Sequence, residues 1–167
     1  MYKRRRCTDD PGLTWTTRGS DGTGSLAGHV FTDGSLVCPD QPRYCAGGCT
    51  VVQIHPGDHR VQVAYQARAP YDDLDSTACE IYALFMSLAF LVGHVTVHVD
   101  NAEVVHGMQR VANNCVGHTN KHAHLWRLVW TKLEDLGGNH TDWMKVVHVP
   151  AHTSQADVDA GVLTSFE

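Results

Sequence analysis

Three carboxylates in this chain of 167 residues stand where a fold could gather them. Asp33 follows the apolar run in "HVFTDGSL" (29–36), and Asp100 closes "HVTVHVD" (94–100). Glu80 lies in the first turn of "STACEIYALFMSLAFL" (76–91). Each has a plainer use. Asp33 before Gly34 could form a turn, Asp100 could cap the helix that follows it, and Glu80 could complete a capping box with Thr77. Taken together they suggest more. Unpaired carboxylates drawn into one crevice repel and take up protons. A divalent cation relieves this, and hard oxygen ligands suit Mg²⁺ or Mn²⁺.

The elements that must position these acids are legible in the hydrophobic pattern. Residues 29–36, 46–57 and 59–70 read as strands joined by short, turn-rich links, the third through the alternation of Val61, Val63 and Tyr65. The period then changes. Ile81, Leu84, Leu88 and Leu91 mark one face of a helix over 76–91, which Asp75, Ser76 or Thr77 can cap and Gly93 is expected to end. A fourth strand is expected over 94–100, helices over 101–111 and 121–138, and a fifth strand over 141–149. The order β-β-β-α-β-α-α-β predicts an α/β fold: a five-stranded mixed sheet with strands 1–3 antiparallel, strands 4 and 5 parallel to strand 1, and helices packed against it. If strands 1 and 4 are neighbours, Asp33 and Asp100 face one crevice at the sheet's end.

Composition narrows the function classes. Apolar residues at 43% and charged residues at 19% suit a globular protein of one domain and argue against disorder. No apolar run is long enough for a membrane span, so no membrane partner is expected. Residues 1–28, with Gly19, Gly22, Gly24 and Gly28, read as a flexible leader to a domain over 29–167. The net charge of −5 provides no broad basic footprint, and "KRRR" (3–6) reads as a solvated terminus in preference to a nuclear or nucleic-acid tail. Six cysteines without framework spacing imply reduced thiols and an intracellular setting, in the nucleus or cytoplasm.

Four stretches in order, "FTDGSL", "DSTACEIYALFMSL", "VTVHVDNAEVVHGM" and "WMKVVHVPAH", resemble the landmarks of type 1 ribonuclease H, most closely in the style of retroelement domains. The likeness covers roughly residues 29–152. It implies a ribonuclease-H-like fold and a metal-dependent endonuclease that hydrolyses the RNA strand of RNA–DNA hybrids. It also implies two Mg²⁺ ions, replaceable by Mn²⁺. Position by position, Asp33, Glu80 and Asp100 match metal-binding acids, and His152 matches a histidine that assists proton transfer and product release. Gly34, Ser35, Ser76, Thr77 and Asn101 match substrate-contacting positions. A monomer is expected, at one time part of a reverse-transcriptase polyprotein.

The tail departs from that pattern. The resemblance implies a fourth acid at the head of a last helix, but after His152 the sequence runs "TSQADVDAGVLTSFE" and stops. Asp157 and Asp159 are the acids there that could substitute, and the final helix is expected to be missing. The alternative function is therefore a catalytically impaired, ribonuclease-H-like nucleic-acid-binding remnant of a retroelement polyprotein. Cys115, His118, His122 and His124 form a superficially zinc-like C-x2-H-x3-H-x-H, but lack the separated ligand pairs of a zinc finger. Trp126, Trp130 and Trp143 read as core aromatics.

Overall fold

The computed structural model describes residues 25–37, 40, 46–55, 57, 61–69, 75–112, 121–137 and 140–150. The β-branched and apolar alternation noted above forms β1 (Leu26–Val37), β2 (Ala46–Ile54) and β3 (Val61–Arg68), an antiparallel meander. The chain then crosses through α1 (Ser76–Ala89) to β4 (Leu91–Val99), which lies parallel to β1. Helices α2 (Ala102–Ala112), α3 (Ala123–Leu136) and the single turn α4 (His140–Trp143) lead to β5 (Met144–His148), parallel to β4. The sheet order is β3-β2-β1-β4-β5, with the strand directions that the sequence predicts, and it makes strands 1 and 4 neighbours.

One face of this sheet carries the core. Val30 of β1, Val51 of β2 and Val95, Val97 and Val99 of β4 are all buried, as are Ile81, Leu84 and Leu88 of α1. α1 is apolar nearly all round because it is covered on two sides, by the sheet and by α3 through Leu125, Trp126 and Val129. That double burial fixes α1 firmly against β1. Where its N-terminal end lands therefore decides where Glu80, just past the first turn, points.

Several boundaries differ from the sequence reading, three of them for a physical reason. β1 begins at Leu26, inside the expected leader, and its pairing with β4 shifts register at Gly28. Gly28 has φ +75°, left-handed backbone that glycine adopts without strain, so this glycine marks a bulge and not a loop. α1 ends at Ala89, not at Gly93, because the Phe90 carbonyl already accepts from the Leu26 N–H at 2.9 Å and starts the sheet ladder; Gly93 lies inside β4. The stretch expected as a strand over 141–149 opens as the turn α4. There the Trp143 indole donates to the Gly137 carbonyl and folds the connection back before β5. Trp126 is a core residue, whereas Trp130 and Trp143 are half-buried.

Candidate metal centre

β1 and β4 pair only as far as Thr32 and Val99. β1 continues to Val37 on the β2 side, so Asp33 does not end its strand; it stands where the parallel neighbour runs out. Asp100 is the first residue beyond β4. The two acids thus share the crevice at the carboxyl end of the parallel pair, where α/β sheets place ligands. Glu80 reaches the same point from α1, and one carboxylate oxygen from each of Asp33, Glu80 and Asp100 lies within 4.8 Å of the others.

Gly34 makes that convergence possible. A Cβ on Gly34 would stand 2.5 Å from the Glu80 nitrogen and 2.6 Å from the Cys79 carbonyl carbon, so only glycine lets α1 approach β1 this closely. The approach is used: the Gly34 N–H donates to Glu80 Oε1 at 2.7 Å. Glu80 is 2% exposed, and its second oxygen, Oε2, is buried with no hydrogen-bond donor. Burial pushes the Glu80 carboxyl up to about 8 against the opposing pull of the Gly34 N–H, and the charges of Asp100 and Asp33 add to the rise. Glu80 and Asp100 can bond to each other only when one of them carries a proton. Three converging carboxylates, one of them with a buried oxygen that has no partner, fit one or more divalent cations.

A cleft of about 640 Å³ opens over these groups, lined also by Gly34, Ser35, Ser76, Asn101 and Glu103. Ser35 and Ser76 are exposed at its rim. Asn101 caps α2 by accepting the Glu103 N–H at 2.9 Å, and its Nδ2 donates to the Thr77 hydroxyl at 3.3 Å. Thr77 in turn donates to Glu103 Oε2 at 3.3 Å. Of the residues matched to substrate contacts, Gly34, Ser35, Ser76 and Asn101 line the cleft with the acids, whereas Thr77 bonds Asn101 and Glu103 without lining it. Glu103 is a member that sequence reasoning missed. Its only signal was an acid in the first turn of a helix that begins beside Asp100, and such acids are ordinary helix stabilisers.

Asp75, not Thr77, caps α1: its Oδ1 accepts the Ala78 N–H at 2.7 Å, so Glu80 is released from a capping box. Burial works against the Asp75 charge, but the Lys121 hydrogen bond, the Ala78 N–H and His122 outweigh it and hold the carboxyl below its ordinary value. His122 is buried at 3.3 Å from Asp75, while His124 is exposed, so the two do not face one site. At the end of β5, His148 Nε2 lies 3.2 Å from the Asp100 carbonyl oxygen and ties the two strand ends together. His152, Asp157 and Asp159 lie outside the described residues, as do Cys115 and His118.

No family model matches the chain, and no curated protein does. Solved structures do. The PFV RNase H domain superposes at TM-score 0.55 with 22% identity, covering 82% of this chain and 90% of that one. A foamy viral protease-reverse transcriptase in complex with RNA/DNA hybrid gives TM-score 0.53 and 17% identity over 83% of this chain, which spans 19% of that longer protein. LC9-RNase H1, a type 1 RNase H with the type 2 active-site motif, gives TM-score 0.54 and 12% identity over 75% of this chain and 63% of that one. At these identities the likeness lies in the fold. The chain has the ribonuclease-H-like fold, built as in the ribonuclease H domains it resembles.

Proposed function

We propose that the chain is a divalent-cation-dependent nuclease that hydrolyses the RNA strand of RNA–DNA hybrids. The observation that carries this reading is the convergence of one oxygen each from Asp33, Glu80 and Asp100 within 4.8 Å, with a buried Glu80 oxygen that has no donor. Mg²⁺ or Mn²⁺ would be held by these three carboxylates, and bound there would supply an activated water and neutralise charge on the scissile phosphate.

The chain's own residues do the rest. Asp33, exposed at the cleft, and Asp100 beside it present carboxylate oxygens to the cleft. Glu80 must give up its proton for its second oxygen to serve as a ligand, and the Gly34 N–H keeps its first oxygen in place while it does so. Ser35, Ser76 and Asn101 offer hydroxyl and amide groups around the acids, suited to sugar and phosphate oxygens and not to base edges, and Thr77 braces Asn101. Selection of an RNA strand then rests on its 2′-hydroxyls and the groove shape of the hybrid. No protein nucleophile is required: Cys49 and Cys79 are buried, and burial pushes the Cys49 thiol up to about 12. The parallel with a foamy viral protease-reverse transcriptase in complex with RNA/DNA hybrid supports the same substrate class, and a polyprotein origin.

The test is cleavage of a labelled hybrid by the chain with Mg²⁺ or Mn²⁺. Activity should fall by about 100-fold or more in Asp33→Asn or Asp100→Asn, since even groups that merely orient a metal ligand are worth ~10- to 100-fold. A folded wild-type chain that binds hybrid without cutting it in Mn²⁺ would leave the binding remnant as the surviving reading.

A further inference from the structure

We propose that Glu103 is a fourth cation ligand of this cleft, forming with Asp100 the outer part of a site for two divalent ions. The inference rests on the nuclease reading above. Glu103 lines the same cleft as Asp33, Glu80 and Asp100 but stands outside the trio whose ligand atoms lie within 4.8 Å. Paired catalytic cations sit about 4 Å apart, so their ligand ring must be wider than the ring around a single ion. Three carboxylates also leave two divalent ions undercompensated. A fourth on the rim balances the charge.

The Glu103 side chain is held for such a role. Asn101 Nδ2 donates to the Thr77 hydroxyl, which leaves the Thr77 proton to point at Glu103 Oε2 at 3.3 Å. Oε1 takes no hydrogen bond from any described residue and remains available as a ligand. The Glu103 N–H is pinned by Asn101 Oδ1 at 2.9 Å, which anchors the residue beside Asp100. An acid serving only the α2 dipole would satisfy that role from solvent and needs no hydroxyl from α1. Independently, Glu80, 2% exposed, lines this cleft and carries an oxygen with no donor, and a buried carboxylate oxygen left so is costly until a cation or proton meets it.

The experiment is a Mn²⁺ titration of the full 167-residue chain without nucleic acid, followed by electron paramagnetic resonance of the free ion. The wild type should bind two ions. Glu103→Gln should weaken the second by about tenfold or more and leave the first within about twofold. Glu103 is exposed, so a thermal melt should match wild type. Two wild-type-like ions in Glu103→Gln, or loss of both, overturns the assignment, as does selective loss of the second ion in an Asp157→Asn/Asp159→Asn variant. An Asp33→Asn/Asp100→Asn variant separates the two levels. If it loses binding while Glu103→Gln does not, only the Glu103 role fails. If it binds as wild type does, or wild type binds no ion, the nuclease reading falls with it.

Discussion

Among the described residues, Gly34 and Gly107 both allow close approach, and they serve different ends. At Gly34 a Cβ would meet the backbone of α1, 2.5 Å from the Glu80 nitrogen and 2.6 Å from the Cys79 carbonyl carbon. At Gly107, in α2, it would meet the Trp126 ring of α3 at 2.0 Å. The first contact sets strand against helix and delivers a carboxylate to the cleft. The second packs helix against helix and touches no group of the site. The same local device therefore builds a functional position in one place and only core density in the other. The obstacle also differs in kind, because a ring can tilt, whereas the backbone of a helix covered on two sides cannot.

The sharpest way to break this contrast is Gly34→Ala. It should destabilise the fold by about 3 kcal/mol, at the upper end of overpacking, and lower Tm by roughly 10 °C. It should also weaken Mn²⁺ binding, because the Gly34 N–H can no longer hold Glu80. A melt and a Mn²⁺ titration read both effects. If Gly34→Ala loses stability but keeps full ion affinity, the contact is mere packing and the contrast fails.

Glu80 provides the next largest effect. Between its ordinary value of 4.5 and about 8, the folded protein holds a proton that the unfolded chain has released. Metal-free stability should therefore fall as pH rises through that window. Glu80→Gln should flatten this slope in chemical denaturation and stabilise the metal-free protein above pH 8 by about 1–3 kcal/mol, the cost of an unsatisfied buried polar group. Cation binding at pH 7 should release about one proton in wild type and none from this position in Glu80→Gln, read by calorimetry in buffers of different ionisation heat.

Gly107→Ala should cost less, about 1 kcal/mol net, because the overlap with Trp126 is partly offset by the better helix propensity of alanine. Ion affinity should be unchanged. A large loss of Mn²⁺ binding here would mean that α2 packing governs the cleft as strongly as Gly34 does. The smallest effect is expected for Asp75→Ala, which removes the α1 cap at about 1 kcal/mol or less, since Asp75 is partly exposed. Its contribution is present above the ordinary carboxylate range and should vanish in acid, where the aspartate is protonated in both the folded and the unfolded chain.

Legibility followed the range of each interaction. The element order and the sheet came from local periodicity, and Asp33, Glu80 and Asp100 stood out because each sits at a recognisable element boundary. The cap on α1 stayed open among three residues because Asp75, Ser76 and Thr77 are chemically equivalent caps, and only backbone geometry chose Asp75. Gly28 and Gly93 misled because a glycine in a strand looks, in sequence, like one in a loop. Glu103 was hidden by having an ordinary use, and it became visible only when Thr77 was found to reach it from another helix.

Which acids exist, on which elements they sit, and that strands 1 and 4 run parallel through α1 are all readable along the chain. These follow from short-range pattern and from the handedness of crossovers. Tertiary structure alone decided that Gly34 and Glu80, 46 residues apart, share a hydrogen bond, that Glu80 is buried enough to hold a proton, and that a fourth carboxylate closes the rim. Those depend on distances of a few ångströms between elements, set by how α1 seats on the sheet, and no spacing along the chain encodes them.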